Sequence, residues 1–568
     1  MAKVTMPGPR PTKAHTGIVF HNPAAFWIGT CSIISGVLLH LPDYFSTADM
    51  GYHMQNMAMS PQMLLGMALI IGGFLLAAFG LVPRKRSFAT NEARDLSGYH
   101  FKSMDDAPLS PAHWGLLFVL GIALIVDVMK PATLGFVVPG LRSEYSISTP
   151  HAALLPIVAL TGTTVGSFLW GMIADRLGRR AGILLASLMF IGTSICGFMP
   201  AFQWNLVMCF LMGLSAGGML PIVYALMTES MPAKRRGWLV VLHGGMGTVG
   251  GYLAASGLAA LLVPHFGWRI MWFLGLPTGA LVLLLNRWIP ESPRFLLERG
   301  RLEDAEKVMA RYGVILEKTD TAAGNGATST PEPQRGGSHF AGLGRLFRAP
   351  YLSHTLTVGL YGLGWGLVNW GFLTFLPTIL EDQGLESSAV NTLLFWSALI
   401  AVPGTVLVAY LYGMWSSKKS MVLYAALTSL TLVGFAVLGP SVAAGNQVVL
   451  GGLVILLLIS SGGVISMLSP YTAEVYPTDL RGTGSGLAAG SSKLGGILGP
   501  PVAAGVLVLA PGFAAPALVM AAPIALAAVV LGTKGIETRG RALEELASVT
   551  PHTLDLPDLE PVPEASLP

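Results

Sequence analysis

The nine residues Glu229-Ser-Met-Pro-Ala-Lys-Arg-Arg-Gly237 return as Glu474-Val-Tyr-Pro-Thr-Asp-Leu-Arg-Gly482, with Glu, Pro, Arg and Gly at the same internal spacings and 245 positions apart. A second match has nearly the same offset. Gly171-Met-Ile-Ala-Asp-Arg-Leu-Gly-Arg-Arg180 is echoed 242 positions later by Gly413-Met-Trp-Ser-Ser-Lys-Lys-Ser-Met-Val422, where Ser417 takes the place of Asp175. Two agreements at nearly one offset imply a duplicated unit. Both copies lie at the ends of long apolar runs, so the unit is a set of membrane helices, and parallel copies are what alternating access around a central site requires.

The remainder of the chain agrees. Its 568 residues are 52% hydrophobic and 11% charged, with a mean hydropathy of +0.62, more apolar than a water-facing surface tolerates. Runs near or above the roughly 20 residues needed to cross a bilayer recur fourteen times. The expected fold class is therefore all-α and membrane-embedded. Residues 1–112 hold an N-terminal start, a two-helix transmembrane hairpin and a linker; 113–289 and 353–534 each hold six helices; 290–352 form a hydrophilic linker; and 535–568 form a tail. The linker centre, residues 319–337, is rich in Gly, Ser, Thr and Pro, and this stretch and the tail are expected to be disordered. Before it, Phe295, Leu296, Leu302, Val308 and Met309 recur at helical spacing among charges, which predicts a short amphipathic helix at the membrane face.

With both termini placed in the cytoplasm, 30 of the 34 lysines and arginines fall in cytoplasmic segments, the opposite side holds only Arg142 and Arg269, and Lys130 and Lys493 lie within the membrane. That asymmetry follows the retention of positive charge on the cytoplasmic side of an inner or plasma membrane. The net charge of +4 then reflects topology and gives no reason to expect nucleic acid as a partner. Cys31, Cys196 and Cys209 all lie within apolar runs, with no disulfide or zinc-ligand spacing. Met50, His53, Met54, Met57, Met59 and Met63 cluster between the first two helices; soft thioethers with an imidazole suit copper(I), but Met equally fills irregular interfaces, and no metal site is assigned.

From about residue 113 to 534 the chain resembles the major facilitator superfamily, on the strength of the Gly171–Arg180 motif. The resemblance implies two six-helix bundles, here with two additional N-terminal helices, and a cytoplasmic latch to which Asp175, Arg176 and Arg179 would belong. The motifs beginning at Glu229 and Pro290 resemble the branch of sugar porters, metabolite:proton and aromatic-acid:proton symporters and organic ion transporters, and implicate Glu229, Arg236, Glu474 and Arg481 in gating; stapling of loops to helix ends is the plainer alternative. Asp127, followed by Gly135, Phe136 and Pro139, resembles the first core helix of the aromatic-acid:proton symporters, although Lys130 stands where those proteins usually carry a second acid. Lys493 occupies a Gly-rich setting where related organic anion carriers have Arg.

Only Asp127, Lys130 and Lys493 place formal charge near mid-membrane. Each costs roughly 2.5–3.5 kcal/mol on insertion-derived scales, so each needs a partner, a wet cavity or a function. An Asp127–Lys130 pair at i, i+3 would neutralise itself but leave Lys493 unmatched. The expectation is that Asp127 carries the coupling proton, with Lys130 and Lys493 holding an anion. Tyr224 and the i, i+4, i+8 series Tyr361, Trp365 and Asn369 would supply aromatic and hydrogen-bonding walls.

Together these readings predict a monomeric secondary transporter that imports a small organic anion, an aromatic or related carboxylate, with protons as co-substrate and the bilayer as its surroundings. A neutral or sugar-like substrate is the alternative within transport; a membrane sensor or a copper-handling protein is the alternative outside it. No P-loop, GxSxG or metalloprotease motif occurs in a suitable setting, so neither an enzymatic activity nor a cofactor is expected.

Overall fold

The computed structural model describes residues 20–82, 99–102, 109–299, 301–312, 315–318, 339–443, 446–477 and 480–539. Among them are fourteen helical segments long and apolar enough to span a membrane. The N-terminal pair is α1 (Pro23–Phe45) and α2 (Pro61–Leu81). The first half of the core comprises α3 (Pro111–Tyr145), α4 (Thr149–Leu177), α5 (Arg179–Phe198), α6 (Phe202–Met227), α7 (Arg235–Phe266) and α8 (Ile270–Trp288). The second comprises α9 (Leu352–Asp382), α10 (Ser387–Trp415), α11 (Ser417–Gly439), α12 (Gln447–Val475), α13 (Arg481–Leu509) and α14 (Ala514–Lys534). Helix is the form that satisfies backbone polar groups within lipid. Its starts are written locally: Asn22 caps α1 through Ala25 N at 3.1 Å, Ser60 caps α2 through Met63 N at 3.2 Å, and a proline follows each cap.

The duplication is visible in the packing. Helix α4 lies along α6 and α3 along α7, as α10 lies along α12 and α9 along α13; α5 joins α8 as α11 joins α14. The halves meet where α7 lies against α10 and α12, and where α13 lies against α4. Outer large side chains such as Phe168, Val437 and Leu509 are exposed, as lipid-facing positions should be.

The N-terminal hairpin is held by small residues. Gly29 faces Gly73 and Gly36 faces Gly66, so a Cβ at Gly66 or Gly73 would meet the opposing carbonyl oxygen at 2.6 or 2.7 Å. The hairpin packs on α5. The hairpin reaches the far ends of α3 and α7: Tyr44 donates to the Phe266 carbonyl, and Met54 N and Gln55 N donate to Glu144 Oε1 at 2.8 and 3.1 Å. Met54 and Met63 are buried, and Met57 and Met59 pack against the same core, so these thioethers serve packing.

The expected amphipathic helix is two helices, Pro293–Glu298 and Leu302–Arg311, which bury Leu296, Val308 and Met309. A two-stranded antiparallel ribbon, Tyr99–Lys102 against Ile315–Lys318, joins the segment before the core to the linker between its halves. The stretch 319–337 and nearly all of the tail, from residue 540 onward, lie outside the described residues.

Candidate functional site

Pro131 interrupts α3. Lacking an N–H, it leaves the Asp127 carbonyl without its usual helical donor, and the helix turns at Thr133 before resuming at Leu134. Asp127 and Lys130 both lie in the turn just before this weak point, but they diverge. Asp127 lines a central cavity of about 500 Å³ between the halves, and its Oδ1 is buried without a hydrogen-bond partner among the described residues. Lys130 is 1% exposed and points into the first half, donating to the Phe190 carbonyl at 2.7 Å and Thr193 Oγ1 at 2.8 Å, with Nζ 3.8 Å from the centre of the Phe190 ring. The self-neutralising pair and the assignment of Lys130 to an anion site are therefore corrected: the lysine is absorbed by α5, behind the cavity wall.

Lys493 faces the cavity from α13. Its Gly-rich surroundings let α13 approach α9 closely, with Gly496 and Gly499 against the backbone and ring of Trp370 and Gly371. The ammonium reaches across the interface to α4, donating to the Thr163 carbonyl at 3.2 Å and to Ser167 Oγ. It also interacts electrostatically with Asp127, though no direct ion pair joins the two. The repeat-equivalent position, Thr248 on α7, lines the same cavity without charge. Asp127 and Lys493 are the only charged side chains lining it among the described residues.

Tyr224, Trp365 and Asn369 line the cavity, together with Trp370 and Tyr252. Tyr361 does not. It is fully buried and donates weakly to the Met421 carbonyl at 3.4 Å. Four-residue steps drift by about 40° each along a helix, and a wider π-type turn at Val368–Leu373 rotates the later positions further. Trp365 Nε1, Tyr252 Oη and Ser461 Oγ are buried without partners among the described residues, so donors as well as ring faces converge on this space.

The cavity extends toward Tyr224, Ser469 and Ser485, at the end bearing the basic loops. At the opposite end, Arg142 of α3 bridges Asp382 of α9 at 3.2 Å, and the outer segments of those helices pack together. Close by, Arg269 pairs with Glu144 at 2.6 Å, both essentially buried. Trp268 Nε1 donates to the same carboxylate at 2.9 Å.

The edge motifs form interlocking caps. Asp175 pairs with Arg179 across Gly178, whose φ of +103° favours glycine. The carboxylate of Glu291 accepts from Arg179 N at 2.7 Å and Arg180 N at 3.3 Å, holding the start of α5, and Arg299 donates to the Arg176 carbonyl at 2.7 Å. In the second half Glu537 takes the corresponding place at the start of α11, accepting from Ser417 N at 3.0 Å and Ser417 Oγ at 2.6 Å. Glu474 accepts from Tyr412 Oη at 3.0 Å and Thr538 Oγ1 at 2.5 Å, and interacts electrostatically with Arg236 of the other half. The Glu229 side chain lies outside the described residues, and Arg481 starts α13. Sequence reasoning reached Glu291 only as part of the motif beginning at Pro290, and missed Glu537, Glu144 and the Thr163–Ser167 anchor. One signal was available, since Glu537-Thr-Arg repeats Glu291-Ser-Pro-Arg 246 positions later.

The family model of the Major Facilitator Superfamily matches residues 116–500. The chain belongs to this superfamily. Other major facilitator proteins are similar along most of its length. A niacin transporter of Acinetobacter baylyi is 26% identical over 448 residues, covering 78% of this chain and 98% of that one. A 4-hydroxybenzoate transporter of Pseudomonas putida is 29% identical over 482 residues, covering 80% and 100%, and a gallate transporter of the same species is 28% identical over 422 residues, covering 72% and 89%. An inward-open structure of the Escherichia coli xylose transporter superposes with a TM-score of 0.59 at 17% identity, covering 77% of this chain and 100% of that one, which establishes the major facilitator fold. The chain is a multi-pass membrane transporter of small molecules and not an enzyme.

Proposed function

We propose that this transporter carries a small aromatic carboxylate together with a proton, by rocking of the bundles 113–289 and 353–534 about the central cavity. The observation that carries the reading is the isolated opposition of Asp127 and Lys493 within a cavity whose other described lining groups are aromatic, apolar or uncharged polar. A buried ammonium attracts a carboxylate far more strongly than it would in water. Trp365, Trp370 and Tyr224 offer faces and edges for a ring, and Trp365 Nε1, Tyr252 Oη and Ser461 Oγ offer hydrogen-bonding groups for ring substituents. Niacin, 4-hydroxybenzoate and gallate, named for the relatives, are all aromatic monocarboxylic acids or their anions.

Asp127 supplies the coupling. An arriving carboxylate engages Lys493 and weakens its attraction for Asp127, which favours proton uptake; release reverses both events. A proton and a monoanion entering together move no net charge. The gating interactions at Asp175, Arg176 and Arg179 and at Arg236 and Glu474, with Glu229 and Arg481 in the companion positions, would open and close the end bearing the basic loops. That end faces the cytoplasm of an inner or plasma membrane, and one chain suffices because both bundles are covalently joined.

Uptake of labelled nicotinate, 4-hydroxybenzoate, xylose and a quaternary amine into proteoliposomes, with and without an imposed pH gradient, tests the reading. Carboxylates should accumulate only with the gradient. Asp127→Asn should retain substrate-for-substrate exchange while losing gradient-driven accumulation. Accumulation with normal pH dependence in that variant would exclude Asp127 as the proton carrier, and transport of xylose or the amine alone would overturn the carboxylate assignment.

A further inference from the structure

Lys493 is in the second half of the molecule, yet its two hydrogen bonds go to α4 of the first half. An ammonium has three donors, so one remains for the cavity. The anchor is itself held in orientation. Ser167 Oγ lies 2.9 Å from the Thr163 carbonyl and 2.8 Å from the Gly217 carbonyl, and donating its proton to either leaves a lone pair for Lys493. Thr163 and Ser167 are one helical turn apart on the face of α4 that meets α6, where Gly213 and Gly217 bring the two backbones into close contact. A rigid wall of the first half thus fixes the position of a charge belonging to the second.

That position is not the one electrostatics alone would select. Asp127 is the opposite charge in the cavity, and a flexible lysine stem would let the ammonium move toward it. From the geometry we infer that Ser167, with the Thr163 carbonyl, is a positioning residue that holds the Lys493 ammonium apart from Asp127, keeping one donor open to a substrate carboxylate. The use of that donor rests on the proposed carboxylate function; the positioning itself does not. Apart from Lys493 on α13, Asp127 interacts with the Leu220 backbone and the Tyr224 hydroxyl, both on α6, and the Tyr252 hydroxyl of α7 lines the same cavity; none of these is charged near neutral pH.

Loss of the Ser167 hydroxyl should let the ammonium swing toward Asp127. A closer cation favours the carboxylate, so Asp127 should then take up its proton only at lower pH, by about one unit or more. The carboxyl band of Asp127 is identifiable by infrared difference titration of the purified protein as the band absent from Asp127→Asn, and this readout needs no substrate. The expected result is a midpoint displaced to lower pH in Ser167→Ala and restored in Ser167→Thr, which keeps a hydroxyl in place. An unchanged midpoint in Ser167→Ala, or the same displacement in both variants, would overturn the inference. Counterflow of 4-hydroxybenzoate separates the two proposals. A KM raised severalfold by Ser167→Ala with little change in kcat is expected, whereas a KM unaffected by Lys493→Ala would refute the carboxylate reading and leave the infrared result to judge the positioning role.

Discussion

Two lysines placed within the membrane have opposite fates. Lys130 is fully enclosed by the first half and bonded to Phe190 and Thr193, whereas Lys493 faces the cavity. Their substitution should separate stability from transport. Replacing Lys493 by Met should raise the KM for a carboxylate about 10-fold or more, the range expected for a lost hydrogen bond to a charged group of roughly 1.5–3 kcal/mol. Replacing Lys130 by Met should leave that KM within about threefold, since an apolar side chain of similar length can fill a buried ionic position at little cost. Proteoliposome uptake measures the first effect, and thermal unfolding of the purified protein measures any effect of the second. Equal losses of affinity would return Lys130 to the binding site. The spacing of Asp127 and Lys130 was legible in the sequence, but their opposite destinations depended on α5 offering two oxygen acceptors behind the wall.

At the scale of elements, Glu291 and Glu537 each hold the start of a repeat-equivalent helix, α5 and α11, yet their surroundings set them apart. Burial raises the Glu291 carboxyl above the usual carboxylate range, and the N–H groups of Ser292, Arg179 and Arg180 only partly offset that. Burial also pushes Glu537 upward, but hydrogen bonds from Ser416 and Ser417 outweigh it and leave this carboxyl below its ordinary value. A lowered carboxyl contributes stability above its unfolded-state pKa and loses it as pH falls through the folded-state value; a raised one contributes below its unfolded-state pKa and loses it as pH rises through the folded-state value. Glu537→Gln should therefore cost stability most near neutral pH, by about 0.5–2 kcal/mol as for other helix caps, with the deficit shrinking on acidification. Glu291→Gln should show its larger deficit in acid. Thermal melts across the acidic to neutral range test this, and parallel profiles for the two variants would contradict it. Ser417 stands in place of the aspartate of the first repeat, and it donates through its N–H and hydroxyl to Glu537 from beyond α14.

For the whole molecule, the balance between open and closed ends rests on small terms. Arg142–Asp382 joins the halves opposite the basic loops, with side chains 24% and 50% exposed. An exposed pair is worth about 0.2–1 kcal/mol, so removing it should shift the population toward opening at that end by at most about fivefold. Cysteine accessibility in the α3–α9 cleft would report the shift for Asp382→Ala, and the reversed pair Arg142→Asp with Asp382→Arg should return it toward wild type. Accessibility unaltered by Asp382→Ala would show that the pair does not contribute to closure. The neighbouring Glu144–Arg269 pair is buried and also receives the N–H groups of Met54 and Gln55, so the N-terminal hairpin loop is fastened to the segment of α3 that carries Arg142.

Hydrophobic run length, loop charge and the 245-residue repeat determined the fourteen helices, the duplicated core and the family, because these are properties of the chain read along one dimension and lipid permits few ways to satisfy a backbone. Asp127, Lys493, Trp365 and Asn369 could be singled out because polar groups in apolar helices are costly and few. Which of the candidates share one space was decided only by tertiary structure. The drift of about 40° over a four-residue step separated Tyr361 from Trp365, and neighbouring acceptors drew Lys130 away from Asp127. Contacts between residues more than a hundred positions apart, such as Lys493 with Thr163 and Ser167 or Glu144 with Arg269, leave no periodic trace along the chain, because they depend on how whole helices pack.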